Sequence, residues 1–284
     1  MNWKKISKLA SGFLAAGIFM TGCGGGSEPA VKDPPTTRIG IISKLNATEE
    51  ALNEQMKKLQ KAAMRSGLQL THLYTYFKGL NEMQMALDAG QIDEISTYRS
   101  VANYMLARND RLEILDHTVN MFDSFCCAVR TEDKALHDEI NAAIQAMNSD
   151  GTLDSLVKTY ISDANLSEDP PAVALETFDG AETIKVGVTG DLPPLDLILA
   201  NGQPAGFNTA MISEIGRRIG KNIELVQIDS DARAAALTSR QIDVVFWVTV
   251  PDNDVLDKNW DKPDELSTTF PYHRDEIVHV DLKK

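Results

Sequence analysis

Apolar and polar positions along the chain predict short strands that alternate with helices. In the first half, strands are predicted at 38–43, 68–74 and 92–96, with helices at 48–65 and 81–89 between them. In the second half, strands are predicted at 184–189, 223–228 and 242–249, with helices at 208–219 and 231–239. Each half therefore has a βαβαβ pattern, which predicts an α/β fold with parallel or mixed sheets and helices on both faces.

The two halves also resemble each other in sequence. Gln91-Ile92-Asp93 and Gln241-Ile242-Asp243 each end a short helical pattern and open an apolar run. Upstream, the pattern starting at Arg38 matches the one starting at Lys185. Two units of similar plan, about 150 residues apart, predict two lobes with a ligand cleft between them at the carboxyl ends of their strands.

The segment between the two units continues the first one. A helix is predicted at 101–107, an apolar crossing strand at 125–129, and helices at 134–147 and 153–160. The following stretch is polar, contains Pro170-Pro171 and lacks periodicity, which predicts a linker. A last strand is predicted at 275–282.

The first residues of the chain have the pattern of a secretory signal. Lys4, Lys5 and Lys8 precede an apolar run at 9–20, and Thr21-Gly22-Cys23 follows it. This ending resembles the lipobox of bacterial lipoproteins, in which the cysteine is acylated. We expect a lipoprotein signal peptide at 1–22, lipidation at Cys23 and a flexible tether at 23–37. The alternative is an ordinary signal peptide with an incidental cysteine. Both place the protein outside the cytoplasmic membrane.

Composition and charge narrow the function classes. The chain has 284 residues, of which 43% are apolar and 24% charged, and its formal net charge is −13. This composition is globular, and the acidic balance disfavours binding to nucleic acid. Three cysteines exclude a disulfide-rich scaffold, and no cysteine or histidine spacing predicts a metal site. We therefore expect no metal and no cofactor.

The second half resembles the opening of the family 3 extracellular solute-binding proteins of amino-acid transporters. The residues that carry the resemblance are Lys185-Val186-Gly187-Val188, Asp191-Leu192-Pro193-Pro194, Asn201-Gly202, Gly206-Phe207-Asn208, Gln241-Ile242-Asp243-Val244 and Phe270-Pro271-Tyr272. The stretch 93–160 resembles the closing half of the same family. Its matching residues are Ala102-Asn103-Tyr104, Cys127-Ala128-Val129-Arg130 and Asp150-Gly151-Thr152-Leu153. The resemblance implies a two-lobed type II periplasmic-binding-protein fold.

The halves stand in reversed order, which predicts a circular permutation of that fold. Residues 38–120 correspond to the family's second lobe, and 121–165 to a crossing strand and closing helices packed on the other lobe. Residues 166–182 form the linker that joins the old termini. Residues 183–284 correspond to the family's first lobe and end in a hinge strand. We expect a monomer, and the alternative is two incomplete copies that complete each other in a swapped dimer.

The resemblance implies a ligand site whose usual charged partners are replaced. Asn253 stands where the family has the arginine that binds the ligand carboxylate, and Tyr98 where an aspartate holds the amine. Phe246 replaces a small residue, and Asn46 and Thr48 occupy the family's Gly-Thr-Thr helix opening. The predicted ligand-binding residues are Asp191, Phe246, Trp247, Asn253, Asn46, Thr48 and Tyr98.

The sequence therefore predicts a lipid-anchored, non-enzymatic solute-binding protein that delivers a small amino-acid-like or related solute to an ABC transporter permease. The missing charge partners make a standard α-amino acid a poor candidate and favour a neutral or less polar solute. The alternative is a degenerate binding-protein scaffold with a sensory or protein-interaction role. An enzyme on this fold would need an acid or base in the cleft, for which only Asp191 is a candidate.

Overall fold

The chain forms two α/β lobes that share one continuous sheet. The computed structural model describes residues 36–64, 71–115, 121–252 and 257–283. The first lobe, here the N-lobe, comprises residues 36–115. Its elements are β1 (Thr36–Ile42), α1 (Glu49–Met64), β2 (Thr71–Phe77), α2 (Leu80–Asp88), β3 (Glu94–Tyr98), α3 (Arg99–Arg108) and β4 (Leu112–Leu115).

The second lobe, here the C-lobe, comprises residues 183–252. Its elements are β6 (Thr183–Val188), β7 (Asp191–Leu192), β8 (Asp196–Ile198), β9 (Pro204–Ala205), α6 (Phe207–Ile219), β10 (Asn222–Gln227), α7 (Arg233–Thr238) and β11 (Val244–Pro251). Strand β5 (Met121–Arg130) and helices α4 (Lys134–Ser149) and α5 (Thr152–Val157) precede this lobe, and both helices pack on α6. Strands β12 (Leu266–Thr268) and β13 (His273–Leu282) follow it.

The two ends of the sheet have the same arrangement. From either edge inward come the second, first and third parallel strands of a lobe, followed by a crossing strand. The strand order is β10-β6-β11-β5-β13-β3-β1-β2, with β12 paired to β5 and β4 paired to β13. Strand β6 is the parallel centre of the C-lobe, and β1 is the parallel centre of the N-lobe. Strands β5 and β13 lie between the lobes and are antiparallel to each other and to the lobe strands beside them. These two crossing strands form the junction of the lobes.

The repeated Gln-Ile-Asp triplets form equivalent corners in the two lobes. The Asp93 N–H donates to the Arg38 carbonyl at 2.8 Å, and the Asp243 N–H donates to the Lys185 carbonyl at 2.7 Å. A Cβ on Gly40 would lie 2.6 Å from Ile92 Cδ1. In the same way, a Cβ on Gly187 would lie 2.6 Å from Ile242 Cδ1. Each central strand thus has a glycine where the triplet isoleucine packs against its backbone.

The segment 163–182 has no helix or longer strand, yet it is fixed to both lobes. The Asp169 carboxylate accepts hydrogen bonds from Tyr104 Oη and from Arg108 on α3, both at 2.8 Å. The Val173 N–H donates to the Pro204 carbonyl at 2.8 Å, beside an isolated bridge between Ala172 and Ala205. This segment therefore connects α5 to β6 along the surface of both lobes.

The observed elements confirm the predicted α/β class, with a mixed sheet and two lobes. Most element bounds agree with the predicted ones within three residues; β2 is described from Thr71, and the predicted start of this strand at 68 lies outside the described residues. The sequence reading missed the short strands β4, β7, β8, β9 and β12, which have two to four residues each and carry no periodicity. No helix within the described ranges is long and apolar enough to span a membrane. The signal peptide, Cys23 and most of the tether lie outside the described residues.

Candidate functional site

A cleft lies at the junction of the lobes, above the crossing strands. It encloses about 910 Å³ of empty space, open solvent at its mouth included. Its floor comes from the middle of the shared sheet, with Tyr98, Asp123, Trp247, Thr249 and Ile277 among its residues. One wall is the end of β1 with helix α1, and the other contains Arg233 and the segment that follows β11. Both lobes therefore contribute residues to one concave site.

Tyr98 and Asp123 form the polar centre of the floor. Tyr98 Oη donates to Asp123 Oδ2 at 2.9 Å, and both side chains are buried. The Tyr98 ring meets the rings of Phe125 and Trp247 edge to face, at centroid distances of 4.7 and 6.1 Å. Burial, and then the charge of Asp123, raises the pKa of Tyr98 well above its usual value. Tyr98 is therefore a hydrogen-bond donor throughout the physiological range.

Trp247 interrupts the pairing of β11 and is stacked on Arg233. Its φ is +57°, and the register of β11 against β5 shifts between Val245 and Val248. The Arg233 guanidinium lies 4.9 Å from the centre of the Trp247 ring. Trp247 Nε1 is buried and has no hydrogen-bond partner among the described residues. A non-glycine residue held in this backbone region at a cleft is typical of strain kept for a site.

Arg233 is a buried cation that supports the cleft wall through the main chain. Its side chain donates to the carbonyls of Ser43, Ser230, Phe246 and Trp247 at 3.0–3.3 Å. Burial lowers its pKa, and the charge of Asp261 acts in the opposite direction. Because these carbonyls come from both lobes, Arg233 links the lobes at the cleft wall. It makes no ion pair within the described part of the chain.

Asp261 joins the two lobes by a different contact. Its Oδ2 accepts from the N–H of Leu45 at 3.0 Å, and its Oδ1 accepts from the N–H groups of Asn46 and Ala47 at 2.8 and 2.9 Å. These three amides precede α1, where a helix N-terminus favours negative charge. Asp261 is only 3% exposed. The protein thus places its own carboxylate on the amides of the β1–α1 loop.

Asp191 makes a further contact between the lobes, outside the cleft lining. Its Oδ2 accepts from the N–H of Leu80 at 3.1 Å, at the first residue of α2. Gly79 is required there, because a Cβ would lie 1.9 Å from that oxygen. Burial, and then the charge of Asp196, raises the pKa of Asp191 to about 6. The carboxylate is therefore held in a partly dry contact against a helix N-terminus.

Lys78 extends this contact on the surface. Its Nζ pairs with Asp229 at 3.2 Å and with Asp231 at 3.3 Å. Between those two acids, Ser230 Oγ donates to the Lys78 carbonyl at 2.8 Å. The residues 78–80 of the N-lobe and 191 and 229–231 of the C-lobe are called the clasp below.

The predicted ligand residues that the structure describes lie in four environments. Tyr98 and Trp247 line the cleft, and Asp191 lies in the clasp. Phe246 is 2% exposed and packs in the core against the Tyr272 ring at 6.3 Å. Asn46 and Thr48 are exposed. The Asn46 N–H binds Asp261, and Thr48 Oγ1 accepts from the Ala51 N–H at 3.2 Å. Asn253 lies outside the described residues.

Three cleft residues were missed by the sequence reading. Asp123 lies just before the apolar run of the crossing strand. An acidic residue in a buried strand could have indicated a functional site from the sequence. Arg233 lies inside an ordinary helical pattern, and Asp261 lies in a polar acidic loop. Within the described ranges no group of three His, Cys, Asp or Glu residues is placed to hold a metal ion. Cys126 and Cys127 are buried free thiols.

The fold and cleft define a two-lobed α/β protein, and one family model matches part of its sequence. Residues 184–252 match the family model of bacterial extracellular solute-binding proteins, family 3, over about a quarter of the chain. This match confirms the resemblance that the sequence analysis inferred for the second half of the chain. Among curated proteins, none matches the chain.

Solved structures with a similar fold include binding proteins and a regulator. The ligand-binding component of an ABC-type import system from Staphylococcus aureus, solved with zinc bound, has 11% identity and a TM-score of 0.46, and 87% of this chain covers 66% of it. A periplasmic substrate-binding protein of an ABC transporter from Coxiella burnetii has 12% identity and a TM-score of 0.40. The match covers 86% of this chain and 84% of that protein. The OxyR2 regulatory domain from Vibrio vulnificus has 12% identity and a TM-score of 0.42, with 91% and 92% covered. Scores of this size support no conclusion about ligand or role.

Proposed function

We propose that this protein captures a small solute between its lobes outside the cytoplasmic membrane and delivers it to an ABC transporter permease. The observation that carries the proposal is the cleft itself. Its walls come from both lobes over two crossing strands, and it is concave with a mixed polar and aromatic floor. The role proposed is binding, with no reaction at the site.

The clasp supports a mechanism in which the lobes close on the solute. Its contacts join residues that are more than about 110 positions apart through one carboxylate, one hydroxyl and two surface ion pairs. Each is exchangeable with water at modest cost, so the lobes are expected to separate by bending the crossing strands. A solute in the cleft would add contacts that exist only in the closed form, and would therefore favour closure.

A thermal-shift screen of the full-length chain tests the binding role. A solute at 100 times its Kd stabilises a protein by about 2.7 kcal/mol, which corresponds to a shift of about 5 °C or more. The panel contains amines, amino acids, small carboxylates, nucleosides and peptides. Met56→Trp places a bulky ring in the cleft wall and should abolish the shift. Met85→Trp is the matched control, since Met85 is 73% exposed on α2.

A second candidate function is favoured by one observation. Asp261 already occupies three amide donors of the cleft region, as in a scaffold that binds no solute. In that case the fold would act in sensing or protein interaction. A stable protein that responds to no solute, and that retains a protein partner through a salt wash in a pull-down, would favour this role over solute capture.

The lipid anchor and the permuted order complete the proposal. The basic start, apolar run and Thr21-Gly22-Cys23 support lipidation at Cys23, and Cys23→Ser should move the protein from the membrane fraction to the soluble one. Permutation of a single copy is supported by β13 pairing with β3 within one chain. Sedimentation equilibrium of the Cys23→Ser chain should give a monomer, and a dimer would favour the swapped alternative.

A further inference from the structure

The charged groups of the cleft are not equally compensated. On the anionic side, Asp261 is bound by three amides, and Arg233 interacts with its charge. On the cationic side, the Arg233 guanidinium donates to main-chain carbonyl oxygens of the described residues. His279 at the cleft edge is bound to Glu94, with Nδ1 2.6 Å from Oε2. Of the two described acidic side chains that line the cleft, Asp123 is therefore the one without an amide or cationic partner.

Asp123 is buried with a single side-chain partner. It is 4% exposed, and its carboxylate accepts one hydrogen bond, from Tyr98 Oη. No Lys, Arg or His nitrogen in the described ranges lies within 4 Å of it. Its cross-strand neighbour on β13 is another buried acid, Asp275, which accepts from the Ser100 N–H. A buried carboxylate beside a second acid, with no cation, is costly unless a cation reaches it.

Aromatic groups surround this carboxylate, and one of them lacks a partner. The rings of Tyr98 and Trp247 meet edge to face at the cleft floor. Trp247 is 9% exposed, and its buried Nε1 donor has no acceptor among the described residues. A ligand oxygen would satisfy that donor. An organic cation gains both from a carboxylate and from aromatic faces in a site that excludes water.

The same cleft disfavours a ligand carboxylate. The amides before α1 that would hold one are already bound by Asp261. Because Asp261 is part of the same chain, it competes with a ligand carboxylate at any ligand concentration. The guanidinium that would pair with one is bound to main-chain carbonyls. Among the described lining residues, the remaining lysine or arginine is Lys44, whose Nζ lies over the Trp260 ring, 5.9 Å from its centroid. An acid entering the floor would also meet Asp123.

We propose that the solute is a small organic ammonium ion without a carboxylate, whose charged nitrogen binds Asp123 beside Tyr98 and whose neutral oxygen meets Trp247. This inference rests on the proposed function and specifies its ligand class. It differs from an amino-acid site because, among the described cleft residues, the amides before α1 and Arg233 are already bound within the chain, which leaves Lys44 at the Trp260 ring to meet a ligand carboxylate.

Four matched probes test the charge requirement by isothermal titration calorimetry on the full-length chain. They are 4-amino-1-butanol as the cation, 1,4-butanediol as the neutral form, 4-aminobutyrate as the zwitterion and 4-hydroxybutyrate as the anion. The cation should bind at least about tenfold more tightly than the other three, because a desolvated charge pair is available to it alone. This comparison needs no variant and so does not depend on a substitution that folds.

Two variants assign the effect to Asp123. Asp123→Asn keeps the shape and the acceptor for Tyr98 but removes the charge, and should weaken 4-amino-1-butanol by about tenfold or more. Asp138→Asn makes the same change on the surface of α4, where the side chain is 80% exposed, and should change affinity less than about twofold.

The possible results separate this inference from the proposed function. Cation binding that Asp123→Asn leaves unchanged in a folded variant overturns the assignment of Asp123. Tighter binding of the zwitterion, the anion or the diol, abolished by Met56→Trp, overturns the ligand class and leaves the binding role intact. If neither these probes nor any solute of the wider panel binds, both proposals fail.

Discussion

The two lobes are built around the same corner, yet they secure it differently. In both, the aspartate of the Gln-Ile-Asp triplet bonds back to the central strand, and the isoleucine packs against a glycine of that strand. In the N-lobe, Asp93 is bound by Arg38 of the same strand pair, with both side chains at least 40% exposed. In the C-lobe, Asp243 is bound by Arg130 of the crossing strand β5, whose side chain is 6% exposed.

This difference shows which lobe depends on the junction. Arg130 also donates to the carbonyls of Leu237 and Ile242 at 2.9 and 2.7 Å. The C-lobe corner is therefore tied to a strand that forms the cleft floor, whereas the N-lobe corner stands in solvent. We expect the N-lobe to tolerate changes at its corner that the C-lobe does not.

The largest expected effect tests whether the two corners differ in their contribution to stability. Arg130→Met leaves two buried carbonyls and the Asp243 carboxylate without their donor, and should lower the free energy of unfolding by about 3 kcal/mol or more. Arg38→Met removes a solvent-screened pair and should change the urea midpoint far less. Equal losses in urea denaturation would show that the two corners are equivalent.

A smaller effect tests how the triplet isoleucine packs against the central-strand glycine in each lobe. Gly40→Ala and Gly187→Ala each force an isoleucine to move, and should cost about 1–3 kcal/mol. Gly40 meets mainly Ile92, since Phe77 is 3.1 Å away, whereas Gly187 meets both Ile242 and Ile228, at 2.6 and 2.7 Å. Ile92→Val should therefore relieve Gly40→Ala more completely than Ile242→Val relieves Gly187→Ala.

Double-mutant cycles in urea measure this relief as a coupling energy for each lobe. The N-lobe coupling should account for most of the cost of its glycine substitution, and the C-lobe coupling for only part. A larger coupling in the C-lobe would contradict the packing described here.

The corners were predictable from the sequence, and the cleft was not. The triplets stand in matching apolar patterns, so their local geometry follows from short-range periodicity. Tyr98 was found through its position in the family resemblance, and Trp247 lies inside the predicted buried strand 242–249. Asp261 was missed because its partners lie 214–216 positions away, and only folding brings them together. Phe246 was assigned to the cleft by family position, whereas its side chain packs in the core.

A pH dependence distinguishes the clasp from the rest of the lobe contact. The pKa of Asp191 is raised to about 6 in the folded chain, above its usual value near 4, so the folded state binds this proton more tightly than the unfolded state. Its contribution to stability is therefore lost as the pH rises from about 4 to about 6. Asp191→Asn should remove this fall, which amounts to up to about 3 kcal/mol. The measurement is the unfolding free energy of both proteins in urea from pH 4 to pH 7. If the unfolding free energies of the two proteins changed in parallel with pH, the assignment of this pH dependence to Asp191 would be wrong.

The smallest expected effect concerns the thiols of the strand that both lobes share. Burial raises the pKa of Cys126 to about 12, and Cys127 is shifted further in the same direction and is fully buried. Thiolates are the reactive species, so iodoacetamide at pH 8 should leave both cysteines largely unmodified in the folded Cys23→Ser chain. Both should react rapidly in urea. Because β5 pairs with strands of both the C-lobe and the junction, slow modification in water reports opening of that strand, and Cys126 should react before Cys127. Rapid modification of both in the folded chain would show that the junction opens far more often than the packing of its buried strands implies.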